Sequence, residues 1–199
     1  MKTDKQSAKI LKILLKDLTI KPTITELARE LGMSRTGVWK ALKRLETEKF
    51  VVLSPVGAGK TSTFRASLNW ENPLTEKNLA LILAEDALKN QRWMSNFAEL
   101  ENNADFLILY GSIIFNPKEA NDIDILAIAS KNKFLEIEES IKKIQKTQIK
   151  KIHILSFTQE EFRQELEKPN KVFIDAVKKG IFLFGQENFV KFIRGVTKK

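Results

Sequence analysis

The sequence predicts two domains, a mainly helical domain followed by an α/β (α+β) domain with a small mixed sheet. Apolar residues recur at helical spacing up to about residue 48, which favours helices. From about residue 103, short apolar runs alternate with helical patterns, as expected where strands and helices share a core. The charge also changes: residues 1–70 hold 14 Lys and Arg against 6 Asp and Glu, whereas residues 71–130 hold 4 against 10.

The composition limits the class of protein. With 199 residues, 43% of them hydrophobic and 30% charged, the chain is long enough for two small globular domains. It has no cysteine and one histidine, which excludes disulfides, thiolate metal sites and zinc sites built from several histidines. No uncharged run approaches the roughly 20 residues of a membrane span, so we expect a cytoplasmic protein without a membrane segment.

Three helical patterns fill the basic head of the chain. The first runs from about Asp4 to Leu18, and the second begins after Thr23 or Thr25, either of which can cap it. Gly32 allows a tight turn before a third helix, which runs from Arg35 to about Glu48. Helices joined in this way have the layout of a helix-turn-helix.

The outer face of the third helix is basic and suits a DNA groove. Residues near the helix start are candidates for contacts with base edges, and later ones for contacts with phosphates. An ordinary solvated face is the alternative. Trp39 on this helix can touch DNA or pack against a neighbouring element, and we expect packing. The candidate DNA-binding residues are Ser34, Arg35, Thr36, Lys40, Lys43, Arg44, Lys60 and Arg65.

The segment after the third helix, FVVLSPVGAGKTSTFRASL, is typical of two short strands around a glycine-rich tip. Together with ELARELGMSRTGVWKALKRLETEKFVV it resembles the winged helix-turn-helix domains of bacterial and archaeal repressors, including those fused to biotin ligase. The resemblance covers about residues 5–68. It implies that double-stranded DNA is a partner and that the protein regulates transcription.

Asn and Pro residues in NWENPLTEKN place the domain boundary near residues 69–74. We therefore divide the chain into a DNA-binding domain (1–70), a linking helix (71–102) and a second domain (103–199). Large apolar residues recur along the linking helix from Leu79 to Leu100. This stripe can pack on the second domain or form a dimer seam, and we expect a homodimer.

The second domain alternates strands with helices. The pattern predicts a buried strand over Phe106–Tyr110, a turn at Gly111 and Ser112, and a strand over Asp122–Ile128. A helix follows from Phe134 to Gln148. The remaining predicted elements are a strand at Lys151–Phe157, a helix opened by the capping box of Thr158 and Glu161, a helix near Val172–Lys179, a short strand IFLFG and a helix from Glu187 to Arg194.

Two aspartates lie one residue apart at the start of the second strand. Because strand side chains alternate between faces, Asp122 and Asp124 point to the same side. Two like charges on one face are costly unless a cation lies between them. The alternative is a solvated strand end.

Gly-Ser, nine residues and then Asp-x-Asp on a strand resembles the nucleotidyltransferase superfamily of the DNA polymerase β type, and the small size is similar to its minimal prokaryotic members. Gly111, Ser112, Asp122 and Asp124 match the motif. The resemblance implies that the aspartates bind Mg²⁺ (or Mn²⁺) and act in catalysis, and that the glycine and serine bind a nucleoside triphosphate. Minimal members of this family are often antitoxins that modify a helical toxin-like partner.

The sequence departs from this family where a later strand usually adds a third carboxylate. The corresponding position in KIHILSF lies near His153, which cannot supply a carboxylate base. We therefore expect nucleotide and metal binding with weak or lost catalysis. The hypothesis is a DNA-binding transcriptional regulator carrying a nucleotidyltransferase-like domain, and the alternative is an active, antitoxin-like nucleotidyltransferase that modifies a protein or small molecule.

Overall fold

The chain forms two compact units in the computed structural model, Met1–Ile82 and Leu83–Lys199. The division falls inside a helix of the linking segment, so residues 71–102 are shared between the two units. The division into a DNA-binding domain, a linking helix and a second domain therefore stays a prediction. The structure describes residues 3–17, 21–56, 63–168 and 171–197.

Three helices build the core of the first unit: α1 (Lys5–Lys16), α2 (Ile24–Leu31) and α3 (Arg35–Thr47). All three were predicted from the sequence. Leu18, the expected end of α1, lies outside the described residues. The side chains that these helices bury almost completely are Ile10, Leu11, Leu15, Leu27, Val38, Leu42 and Leu45.

Capping groups fix the helix ends at the turn. Thr23, not Thr25, caps α2: the Thr23 N–H donates to Glu26 Oε2 over 2.7 Å, and the Glu26 N–H donates to Thr23 Oγ1 over 3.3 Å. Gly32 ends α2 in the left-handed region, at φ 61° and ψ 33°. Ser34 then caps α3, since its Oγ accepts the Gly37 N–H over 3.1 Å.

An antiparallel hairpin of β1 (Val51–Val56) and β2 (Thr63–Leu68) follows α3. Its tip, including Lys60, lies outside the described residues. The Trp39 ring packs against Phe64 of β2 with centroids 5.3 Å apart, as expected for an aromatic residue on this helix. The hairpin is therefore joined to α3 by packing as well as by the chain.

The apolar linking segment forms α4 (Pro73–Leu88) and α5 (Gln91–Asn96), which are separated by a turn at residues 89–90. The predicted stripe is mostly buried within the chain, with exposed fractions of 1% at Leu79 and 0% at Phe97. Burial removes these side chains from any dimer seam. The exposed large residues of α4 are Leu74, Leu81 and Leu88.

The second unit contains a four-stranded mixed sheet in the order β5-β4-β3-β6, as the sequence predicts in outline. The pairing of β4 with β5 is parallel, and β3 pairs antiparallel with both β4 and β6. The strands are β3 (Phe106–Tyr110), β4 (Asp122–Ile128), β5 (Lys151–Phe157) and β6 (Ile181–Phe184). The remaining helices are α6 (Phe134–Gln145), α7 (Gln159–Glu167), α8 (Lys171–Lys179) and α9 (Gln186–Thr197).

Both faces of this sheet are covered, which fixes the orientation of β4. On one face, Ile123 and Ile125 join a core with Ile137 and Ile141 of α6. The other face holds an aromatic cluster around Phe106, whose ring lies within 6 Å of three others. Since side chains alternate, Asp122 and Asp124 share the second face with Leu126 and Ile128. The carboxylates therefore lie at the beginning of β4, where this face opens to solvent.

None of the described helices combines the length and the apolar character of a membrane span.

Candidate functional site

The two aspartates of β4 lie beside the histidine of β5. Parallel pairing puts Asp124 opposite His153 in the register. His153 Nδ1 lies 3.4 Å from Asp122 Oδ2 and 3.7 Å from Asp124 Oδ1. The exposed side-chain fractions are 33% for Asp122, 23% for Asp124 and 46% for His153, so the cluster is open to solvent. His153 therefore occupies the position where the sequence resemblance implies a third carboxylate.

Gly111 provides the space for the Asp124 carboxylate. It connects β3 to a short 3₁₀ turn, Ser112–Ile114, with φ 80° and ψ −165°, a region that is almost restricted to glycine. A Cβ atom at this position would overlap Asp124 Oδ2 and lie 3.1 Å from Asp124 Cγ. The resemblance implies that Gly111 and Ser112 bind a nucleoside triphosphate, which stays a prediction. The structure shows a further reason for glycine at this position, the close approach of the Asp124 carboxylate.

The electrostatics of the cluster affect the Asp124 carboxyl most clearly. Burial and the charge of Asp122 raise the pKa of Asp124, although His153 partly opposes the shift. Three ligand atoms, one from each of Asp122, Asp124 and His153, lie within 4.8 Å of one another. At that separation two carboxylate charges repel by about 1 kcal/mol in a water-like dielectric, and by about 3.5 kcal/mol at an effective dielectric constant of 20. A bound cation would relieve this repulsion.

Tyr110 is a neighbour of the cluster that the sequence analysis missed. It pairs with Asp124 across β3 and β4 and is partly buried. Burial, together with the charges of Asp124 and Asp122, raises the pKa of the Tyr110 phenol. Its position at the end of a buried strand, directly before Gly111, was the available signal.

A cleft of about 350 Å³ lies beside Asp122 and is also lined by Ser112. The loop before β4 contributes Asn116, Glu119, Ala120 and Asn121 to the lining. Lys150 holds this loop, because its Nζ donates to the carbonyl oxygens of Ala120 and, over 3.3 Å, Lys118. The sequence showed no pattern that would identify this lysine.

In the first unit, the beginning of α3 presents side chains that are expected to contact DNA. Ser34, Arg35, Thr36 and Lys40 are all exposed. Arg65 is exposed on β2 of the same unit. The structure therefore leaves this group accessible to a ligand, while Lys60 lies outside the described residues.

Two of the expected phosphate ligands have partners within the chain. Lys43 Nζ lies 2.6 Å from Glu46 Oε2 and 5.3 Å from the centre of the Trp39 ring. Arg44 contacts the Asp4 carboxylate and donates to Ser7 Oγ over 2.7 Å. Both basic side chains remain about half exposed, and surface ion pairs contribute about 0–1 kcal/mol. Either side chain can therefore exchange its partner for a phosphate at small cost.

Residues 7–59 match the family model of an HTH domain. The matched region contains most of α1 together with α2, α3 and β1. The comparison with curated proteins found no match. The helix-turn-helix geometry and the family match together support DNA as a partner of the first unit. The second unit lies outside the matched residues, so the roles of its aspartates, glycine and serine rest on the sequence motif and the geometry described above.

Proposed function

We propose that this protein is a DNA-binding transcriptional regulator whose second unit binds a nucleoside triphosphate together with a divalent cation. The observation that carries the proposal is the exposed basic face at the beginning of α3, within a unit that matches the HTH domain. An α-helix fits the major groove of B-DNA, and its N-terminal residues then reach the base edges. The arrangement thus suits recognition of a duplex.

The candidate contacts divide into two groups with different expected effects. Arg35, Thr36 and Lys40 lie in the first two turns of α3, where a recognition helix reads bases. Lys43 and Arg44 lie further along and would neutralise phosphates. Loss of a base contact should therefore change preference among sites, whereas loss of a phosphate contact should weaken binding to all sequences about equally.

Binding of full-length protein to a set of fluorescent duplexes tests the first unit. We expect Arg35→Ala to weaken binding to the preferred duplex and reduce discrimination, and Lys43→Ala to weaken binding without changing the order of preference. Lys142→Ala is the matched control, because it removes an exposed lysine from α6 of the second unit. Equal effects of the Arg35 and Lys142 variants would contradict the assignment.

The nucleotide proposal is supported by the cleft beside Asp122. Ser112 contributes a hydroxyl at its wall, and the two carboxylates supply oxygen ligands for a cation that bridges to phosphate. Thermal melting with ATP, GTP, CTP and UTP, each with and without Mg²⁺ or Mn²⁺, tests it through linkage. We expect a cation-dependent rise in melting temperature that the double variant Asp122→Asn/Asp124→Asn abolishes. An unchanged melting temperature with every nucleotide would remove this part of the proposal.

We also propose that two copies associate through α4. Leu74, Leu81 and Leu88 are exposed by 62%, 54% and 56%, respectively, and recur every seven residues, which places them on one side of the helix. Two-fold symmetry would present two recognition helices to a palindromic site. These leucines replace the buried residues of the stripe that the sequence suggested as the seam.

The second candidate function is an active nucleotidyltransferase, and it is favoured by the position of Asp122 and Asp124 on one face of β4, beside the open cleft that Asp122 lines. In that reaction an acceptor hydroxyl would attack the α-phosphorus of the triphosphate, lose its proton and displace pyrophosphate. His153 supplies no third carboxylate to complete a second metal site, so we expect slow turnover at most. Radiolabelled nucleotide transfer to a small helical toxin-like protein or to itself, lost in Asp122→Asn/Asp124→Asn, would move this function to first place.

A further inference from the structure

We infer that Asp122, Asp124 and His153 form a mixed oxygen–nitrogen site for a first-row transition-metal dication such as Mn²⁺, Co²⁺ or Zn²⁺, rather than a site for Mg²⁺. The three side chains come from two neighbouring parallel strands and point to one face because Asp124 and His153 are register partners. The inference deepens the cation part of the proposed function and requires neither nucleotide nor DNA.

The distances within the cluster suit one bound ion. Ligands about 2.1 Å from a metal lie about 3.4 Å apart around a tetrahedral ion and about 3.0 Å apart around an octahedral ion. His153 Nδ1 is 3.4 Å from Asp122 Oδ2 and 3.7 Å from Asp124 Oδ1. Small side-chain rotations therefore bring all three atoms to bonding distance. The imidazole already directs a nitrogen towards both carboxylates.

The donor atoms determine the class of metal. Mg²⁺ prefers oxygen ligands and retains several waters, whereas imidazole nitrogen suits Zn²⁺, Fe²⁺ and their neighbours in the first row. Two carboxylates with one imidazole give a donor set that Mn²⁺, Co²⁺ and Zn²⁺ accept more readily than Mg²⁺. Three protein ligands at a partly exposed position also leave coordination sites for water or a phosphate oxygen.

The fold holds two of the three ligands in place before any metal arrives. Asp124 lies against Gly111, where a side chain would displace it, and β4 is paired on both sides. His153 follows Ile152, which belongs to the core on the other face of the sheet. The cluster is thus supported by strand pairing and packing, unlike acidic residues that meet on flexible loops.

The chain offers a direct spectroscopic test, since His153 is its single histidine and it has no cysteine. After removal of any histidine tag, the imidazole proton resonances report only this site. With metal alone, we expect the diamagnetic ion Zn²⁺ to change the chemical shifts of these resonances, while the same concentration of Mg²⁺, which is also diamagnetic, leaves them unchanged. Isothermal titration should give an affinity for Mn²⁺ at least about 10-fold higher than for Mg²⁺.

Three variants separate the ligands. His153→Ala should lower the Mn²⁺ affinity by about 10-fold or more and leave the weak Mg²⁺ binding nearly unchanged. His153→Asp should reduce the preference for Mn²⁺ over Mg²⁺, because it gives the site oxygen ligands only. Asp122→Asn/Asp124→Asn should abolish binding of both ions. The control Glu138→Gln/Glu139→Gln removes two exposed negative charges from α6 and should change neither affinity.

Equal affinities for Mn²⁺ and Mg²⁺ that His153→Ala leaves unchanged would overturn the inference. Absence of binding by either ion would also overturn it. The two proposals fail separately. Mn²⁺ binding without any nucleotide binding removes only the nucleotide part of the proposed function, whereas Mg²⁺–nucleotide binding that is insensitive to His153→Ala removes only the metal inference.

Discussion

Substitution of Gly111 by alanine is the most specific test of how the second unit positions its carboxylates. The backbone at Gly111 has φ 80° and ψ −165°, where a residue other than glycine costs about 1–3 kcal/mol. The new Cβ would also overlap Asp124 Oδ2, so the carboxylate must rotate away. Adding about 1 kcal/mol for this overpacking, we expect Gly111→Ala to lower the free energy of unfolding by about 2–4 kcal/mol.

Gly32→Ala is the matched control for this substitution. Gly32 also has a positive φ, 61°, but nothing lies within 4 Å of the Cβ atom that alanine would add. Gly32→Ala should therefore lower the free energy of unfolding only by the cost of the left-handed backbone conformation, about 1–2 kcal/mol. Hydrogen exchange of peptides that cover β3 and β4 measures the stability of the second unit separately from that of the first. Urea unfolding of full-length protein gives the total change in the free energy of unfolding.

A double-mutant cycle isolates the contact between Gly111 and Asp124. In an Asp124→Ala background the overlap is absent, so Gly111→Ala should cost about 1 kcal/mol less than in the wild type. Gly111→Ala should also abolish binding of Mn²⁺, since Asp124 is displaced. Strictly additive effects in the cycle, or an alanine variant that binds Mn²⁺ as well as the wild type, would refute the role assigned to Gly111.

Three further predictions concern other parts of the chain. Trp39→Ala should destabilise the first unit by about 2 kcal/mol, measured by urea unfolding, because it removes the packing on Phe64; an effect below about 0.5 kcal/mol would contradict that packing. The Thr158 N–H and hydroxyl lower the pKa of Glu161, so its stabilisation is present above its unfolded pKa and is lost as pH falls through the lower folded value. Glu161→Gln should therefore be less stable than the wild type at pH 7, with a difference that disappears in acid unfolding curves; a constant difference would oppose this. Leu81→Lys should convert a dimer into a monomer in sedimentation experiments, and a wild-type monomer at all concentrations would exclude the α4 seam.

Local patterns predicted most of the fold. The capping box at Thr158, the Gly32 turn and the alternation in β4 all involve neighbours in sequence, and the structure contains each of them. Helix ends differed by one to three residues, as for the helix predicted to reach Gln148 that ends at Gln145. Short-range physical chemistry is sufficient for such features.

Features that depend on residues distant in sequence were harder to predict. The apolar stripe from Leu79 to Leu100 could not show which of its members the chain itself would bury. The Lys150 contact with Ala120 spans 30 residues and leaves no periodic pattern. The motif identified Asp122 and Asp124 and the resemblance pointed to His153, but only the structure shows that the imidazole lies within 3.7 Å of both carboxylates.

The salt dependence of duplex binding tests the central claim most directly. The logarithm of the binding constant of full-length protein should fall linearly with the logarithm of salt concentration, with a slope of about −0.9 for each phosphate neutralised. The account predicts a steep slope that becomes shallower by about one unit in each of Lys43→Ala and Arg44→Ala, and is unchanged in Lys142→Ala. A slope near zero, or equal slopes for all four proteins, would contradict recognition of DNA by α3.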